Sequence, residues 1–138
     1  MKKEISCGAI VYRDDLKQRR FLVIHQVQGH WTFPKGHMEQ GQDEFMTAKR
    51  EVFEETNVKI QLLPGFRRGH HYLVMPSVWK KVIFFVAKAL NGDLKPQLEE
   101  VCEVYWLTQE EVENILTYPS DSTIFQEAID FFALDFNN

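Results

Sequence analysis

Cysteine is scarce in this chain. Only Cys7 and Cys102 occur among 138 residues. Neither stands at a metal-ligand spacing, and both fall in strand-like stretches. Buried, reduced thiols are expected rather than a disulfide framework. Long apolar runs are missing too, and none approaches the roughly 18 residues of a membrane-spanning helix. The start, MKKEISCGAI, has neither the apolar segment nor the cleavage site of a signal peptide. A cytoplasmic location without a membrane partner is therefore expected. Positive charge is in deficit, with 16 Lys and Arg against 20 Asp and Glu, a net charge of −4. That balance argues against binding to duplex nucleic acid. It leaves a polyphosphate substrate open, because bound divalent ions reverse the local sign of charge. Repeats, low-complexity tracts and interdomain linkers are absent. With 44% hydrophobic residues there is material for one sizeable core, so a single domain over residues 2–134 is expected.

What the chain does have is a dense acidic stretch, Gly36 to Val58. Arg50, Glu51, Glu54 and Glu55 fall within six residues. If Asp43 to Thr56 is a helix, Glu51 meets Glu54 at i,i+3 and Glu55 at i,i+4 on one face. Like charges at that spacing destabilise a helix by about 0.2–0.5 kcal/mol per pair. A bound cation would offset that cost, and hard oxygen ligands suit Mg²⁺ or Mn²⁺. The bland alternative is a solvated acidic face with an Arg50–Glu54 pair. The preceding segment, WTFPKGHMEQGQ, reads as a loop punctuated by Pro34, Gly36 and Gly41. A glycine loop feeding a carboxylate-lined helix is a sensible place for a metal and phosphates.

Periodicity places elements around this stretch. Residues 4–13 alternate as a strand, with Ile5, Cys7, Ala9 and Val11 on one face. Residues 21–27 form an apolar run expected as a buried strand, and 31–33 a short extended piece stopped by Pro34. The acidic helix is expected to begin at an Asp43 N-cap and to bury Phe45, Ala48 and Val52. Asn57, just past its end, suits a left-handed residue. Residues 58–66 read as mixed strand and turn. Strands are expected at 67–75, 79–90 and 101–107. Thr108 to Glu111 is a capping box for a helix to about Leu116. A final amphipathic helix, roughly Ser122–Leu134, is expected to bury Ile124, Ala128, Phe131 and Phe132. The class is α+β, a mixed sheet with helices on both sides.

The acidic stretch resembles the signature of the Nudix hydrolases. That signature runs Gly, five residues, Glu, seven residues, Arg-Glu, an aliphatic, any residue, Glu-Glu, any residue, Gly, an aliphatic. Here it reads Gly36, Gln42, Arg50-Glu51-Val52-Phe53-Glu54-Glu55-Thr56-Asn57-Val58, with the spacing intact over 23 residues. Gln42 replaces the first glutamate and Asn57 the last glycine. The resemblance implies an αβα sandwich and metal-assisted cleavage of a nucleoside-diphosphate-linked substrate. It implies Glu51, Glu54 and Glu55 as metal ligands, with Gly36 and the late Glu100 as further ones. Arg50 orients the glutamates, and either a box glutamate or Glu100 is the general base. Mg²⁺, or alternatively Mn²⁺, is the implied cofactor.

Outside the signature the chain is similar to the asymmetric dinucleoside tetraphosphate hydrolases of that family. Trp31 to His37 resembles their W-x-x-P-K-G-H segment, and Gly65 to Arg68 with Tyr72 resembles their G-F-[KR]-R and base-stacking tyrosine. Lys80 precedes a strand as in those proteins, and Glu100 precedes Trp106-Leu107 at the spacing of their late glutamate. The implied substrate-binding residues are Trp31, Lys35, His37, Arg67, Tyr72 and Lys80. The implied partner is a small nucleotide, cleaved to a nucleoside triphosphate and a monophosphate. A Nudix enzyme acting on nucleoside triphosphates or RNA 5′ ends is the alternative, followed by a noncatalytic nucleotide-binding domain. Lys80 and Lys81 alternate on a strand, so one of them at most faces the site.

Overall fold

A computed structural model describes residues 2–15, 17–97, 99 and 101–136. The element order is β1 (Lys2–Asp14), β2 (Arg19–Gln26), β3 (Trp31–Thr32), β4 (Lys35–His37), α1 (Glu44–Thr56), β5 (Ile60–Leu62), β6 (Arg68–Met75), β7 (Val78–Ala89), β8 (Val101–Thr108), α2 (Gln109–Ile115) and α3 (Pro119–Phe136). The sheet is mixed. β1 runs parallel to β7, and the other pairings are antiparallel.

β1 is the axis of the molecule. The expected alternation is present, but both faces are covered, and every residue from 6 to 12 is buried. Cys7, Ala9 and Val11 pack toward α1 with Ala48 and Val52. Ile10 and Tyr12 pack toward α2 and α3 with Val112, Ile124, Phe125, Ala128 and Phe132. This is the expected helix–sheet–helix sandwich. Its α3 side is aromatic: Phe21 meets Phe125 edge-on at 5.0 Å, and Tyr12 meets Phe132 at 5.1 Å. Burying each such ring contributes about 1.5–3 kcal/mol.

The sheet forks along β1. Near its C-terminal end β1 pairs with β2 through residues 12–14. Nearer its start the same edge pairs with β4, Gly8 opposite Lys35 and Cys7 opposite Gly36. The segment around Gly36 is therefore a strand and not the expected loop. Gly8 permits this pairing: a Cβ there would lie 2.1 Å from the Pro34 carbonyl oxygen.

The caps are as expected. Asp43 accepts a hydrogen bond from the Met46 amide at 2.7 Å, and Asn57 closes α1 with φ of 69°. Thr108 and Glu111 form the reciprocal capping box of α2. Two expectations need correction. Phe45 lies outside the buried stripe of α1; it is 54% exposed and rests its ring against Phe85 at 4.9 Å. α3 begins at Pro119, three residues before Ser122, because proline fits the first turn of a helix, where its missing N–H is not needed. Phe131 is half-buried and packs against the core without entering it. Cys7 is buried and unpaired, and burial pushes its thiol up to about 11. The Cys102 side chain and Glu100 lie outside the described residues, and so do the roles expected of them.

Candidate active site

The α1 face carrying the acidic residues is held by Arg50. Its guanidinium lies 2.9 Å from Glu51 Oε1 and 3.3 Å from Glu54 Oε2. It also donates to the His37 carbonyl at 2.8 Å and to Gln42 Oε1 at 3.2 Å. Arg50 thus joins the helix to β4 and to the preceding loop. Gln42 explains itself in that setting. Its amide oxygen accepts from Arg50 and needs no charge to do so.

Glu55 faces inward and is 2% exposed. Its Oε1 accepts the Lys35 backbone N–H at 2.8 Å. Glu51 presses on Gly36 so closely that a Cβ at Gly36 would lie 2.0 Å from Glu51 Oε2. A side chain at Gly36 would displace that carboxylate from its place against β4.

The donor chemistry here fits a hard divalent cation. Glu51 and Glu55 are carboxylates brought against the β4 backbone at Gly36 and Lys35, and Glu54 is a third carboxylate one turn from Glu51. The set is not gathered into one point. Arg50 draws Glu51 and Glu54, the Lys35 amide holds Glu55, and among the described residues no three His, Cys, Asp or Glu side chains converge as metal ligands.

Lys35 connects this face to a cleft of about 590 Å³ on the α3 side of the sheet. Its main chain binds Glu55, while its side chain lines the cleft. Across the cleft stand Tyr72 and His70 of β6, Lys80 of β7, and Tyr118 and Asp121 at the start of α3. Tyr72 is directly opposite Lys80, and His70 opposite Val82, so each pair shares a face. Lys81 takes the other face, near Glu44 and Cys7. Of these two lysines, the alternation leaves Lys80 to line the cleft beside Lys35. Burial, and then Lys80, hold the Lys35 ammonium below its usual range. Burial and then Lys35 do the same to His70. Burial pushes the Asp121 carboxyl up to about 6, against the pull of Lys35.

Three expected binding residues lie elsewhere. The Trp31 indole stacks on His25 at 4.1 Å with planes 8° apart, and Tyr105 lies 5.6 Å away. Arg67 makes a two-pronged pair with Glu44 at 2.7 and 2.8 Å. His37 offers Arg50 its carbonyl, and its side chain lies beside Lys3, Glu4, Ile5 and Met38.

Sequence reasoning missed Tyr118 and Asp121. A signal for them was present. Tyr118-Pro119-Ser120-Asp121 is a helix start, with proline at the first position and an acid in the first turn. Nothing local showed that this helix end would face β4 across the sheet.

Comparison with known proteins bears on the family and the fold. The chain is 30% identical over 138 residues to the rat bis(5′-nucleosyl)-tetraphosphatase [asymmetrical], covering 91% of this chain and 93% of that protein. It is 30% identical over 134 residues to an 8-oxo-(d)GTP phosphatase of Mycolicibacterium smegmatis, covering 90% of this chain but 41% of that one. A Caenorhabditis elegans Ap4A hydrolase, solved as a binary complex, superposes with a TM-score of 0.85 at 26% identity, covering 94% of this chain and 98% of that one. Nudix hydrolases generally use divalent metal ions. The NUDIX domain model matches residues 2–128, and with the box on α1 and these relatives the chain belongs to the NUDIX domain family, as a hydrolase of its pyrophosphohydrolase type.

Proposed function

We propose that the chain hydrolyses dinucleoside tetraphosphates asymmetrically, to a nucleoside triphosphate and a nucleoside monophosphate. The observation that carries this reading is Lys35, whose backbone binds Glu55 of the box while its side chain lines the nucleotide-sized cleft. One residue thereby sets the distance between a held nucleoside and the box carboxylates. The rat and C. elegans relatives, named for this activity or this substrate, support it.

Each side chain has a task in that reading. Tyr72 and Tyr118 present aromatic faces to a base, and such stacking contributes about 1–3 kcal/mol per base. Lys35 and Lys80 attract the phosphate chain. Glu51, Glu54 and Glu55 would hold the divalent ion, Mg²⁺ or Mn²⁺, with the Gly36 backbone beside them. When bound, that ion neutralises phosphate charge and acidifies water. Arg50 keeps Glu51 and Glu54 in register with β4. Water attacks phosphorus, the phosphoanhydride P–O bond breaks, and a carboxylate takes the proton. Among the box carboxylates Glu54 is the one most open to solvent, with a side chain 46% exposed against 13% for Glu51.

A second reading, hydrolysis of nucleoside triphosphates, is favoured by the M. smegmatis relative. A panel of dinucleoside polyphosphates and nucleoside triphosphates, run with Mg²⁺ and separately with Mn²⁺, separates the two. Brisk triphosphate hydrolysis with no turnover of dinucleotides selects the second.

A further inference from the structure

Asp121 is the cleft residue that phosphate chemistry leaves without a task. Among the described residues lining the cleft it is the only carboxylate. A carboxylate repels phosphate, so it does not serve the chain that Lys35 and Lys80 attract. Its placement is built and not incidental. Asp121 is 3% exposed, and its Oδ2 atom is buried without a hydrogen-bond partner. A buried acceptor left without a donor destabilises the fold, and each such atom in a native protein calls for an explanation. A ligand that brings the donor supplies one. The backbone amide of Asp121 donates to the Tyr118 carbonyl at 3.1 Å, and both residues line the cleft. Tyr118 and Tyr72 are the aromatic walls of the same cleft. The group that a carboxylate meets between two aromatic walls is the donor edge of a base.

We propose that Asp121 is a specificity-determining residue, accepting a hydrogen bond from the exocyclic amine of a purine held between Tyr72 and Tyr118. This rests on the nucleotide cleft of the proposed function, and it adds what that cleft reads. Bases carrying an amine are selected over hypoxanthine, which has none. A site built to receive a donor at the position of that amine disfavours the analogue that has none there, because its own buried acceptor is then left unpaired.

The test is binding of methylene-bridged triphosphate analogues of adenosine, guanosine and inosine, which report on the cleft without turnover. The wild-type protein should bind the adenosine or the guanosine analogue at least tenfold more tightly than the inosine analogue. Asp121→Leu should remove that preference. Asp121→Asn, which keeps the shape, should narrow it, because its amide can turn a donor toward the keto group of hypoxanthine. Equal binding of all three by the wild type overturns the inference. A loss in Asp121→Leu shared equally by the three bases overturns it as well, since that places the carboxylate on the ribose or in the fold. If Asp121→Leu does not fold, the Asp121→Asn ratio decides: an unchanged preference overturns the proposal. Products from diadenosine tetraphosphate, measured on the same preparations, keep the two claims separate. Base preference together with two ADP as product removes the asymmetric reading and leaves the role of Asp121 standing.

Discussion

Glu55 and Asp121 are both almost fully buried carboxyls, yet their environments differ. Glu55 receives the Lys35 amide, whereas Asp121 Oδ2 has no donor. Glu55→Gln keeps the acceptor for Lys35 and removes one charge beside Glu51. Turnover should therefore fall on the order of 100-fold or more, beyond the usual loss for an outer contact of a metal site. The melting temperature should hold or rise. Normal turnover at saturating Mg²⁺ contradicts the metal-ligand role. For Asp121 the expected effect is on stability and pH. Its carboxyl moves from 3.8 in the unfolded chain up to about 6 in the folded one, because burial disfavours the charge. The neutral acid is therefore the form the fold prefers. No penalty exists below about pH 3.8; it grows as pH rises and is complete above about 6. The displacement corresponds to about 3 kcal/mol. Asp121→Asn should thus melt higher than wild type at pH 8 and equal it near pH 3.5. An equal difference at both values contradicts this account.

β4 is three residues long, and the site depends on it. Its two glycine contacts separate fold from function. At Gly8 an added Cβ meets the Pro34 carbonyl and the Lys35 backbone, neither of which can turn aside. Gly8→Ala should cost about 1–3 kcal/mol of stability, read as a lower melting temperature. At Gly36 the added Cβ meets the end of the Glu51 side chain, which can swing away. Gly36→Ala should keep most of its stability and lose turnover. The opposite pattern would mean that β4 is not positioned as described. Long periodic elements were legible in the sequence. α1 could be read from Asp43 and Asn57, α2 from Thr108 and Glu111, and β7 from its apolar run. β4 was not legible, because a strand this short has no period and its partners on β1 lie almost 30 residues away. The partners of Trp31 and Arg67 were not legible for a related reason. An aromatic or a cation shows its chemistry locally, but His25 and Glu44 take them up through tertiary contacts. The box needed no tertiary information, since one helix carries its four charged residues. Asp121 needed all of it.

Across the whole molecule, β1 puts the two halves of the site on opposite sides of one sheet. The box helix covers one face and α3 the other, and β4 lies in the fork between them. Tyr72 belongs to the α3 half, remote from the box. Such a contact acts about equally in ground and transition states. Tyr72→Ala should raise the Michaelis constant for dinucleotides, by an amount within about 1–3 kcal/mol, and leave kcat nearly unchanged. An unchanged Michaelis constant returns Tyr72 to a structural role. The asymmetry of the molecule makes a sharper demand. In the proposed function one box and one cleft, joined through Lys35, would hold one nucleoside at one distance from the box carboxylates, and a fixed distance would select one phosphorus. The direct measurement is product analysis of diadenosine tetraphosphate hydrolysed with Mg²⁺ in water enriched in ¹⁸O. The account predicts ATP and AMP in equal amounts, with the label on one of them alone: on AMP if water attacks the phosphorus of the departing monophosphate. Two ADP as the main product would contradict it.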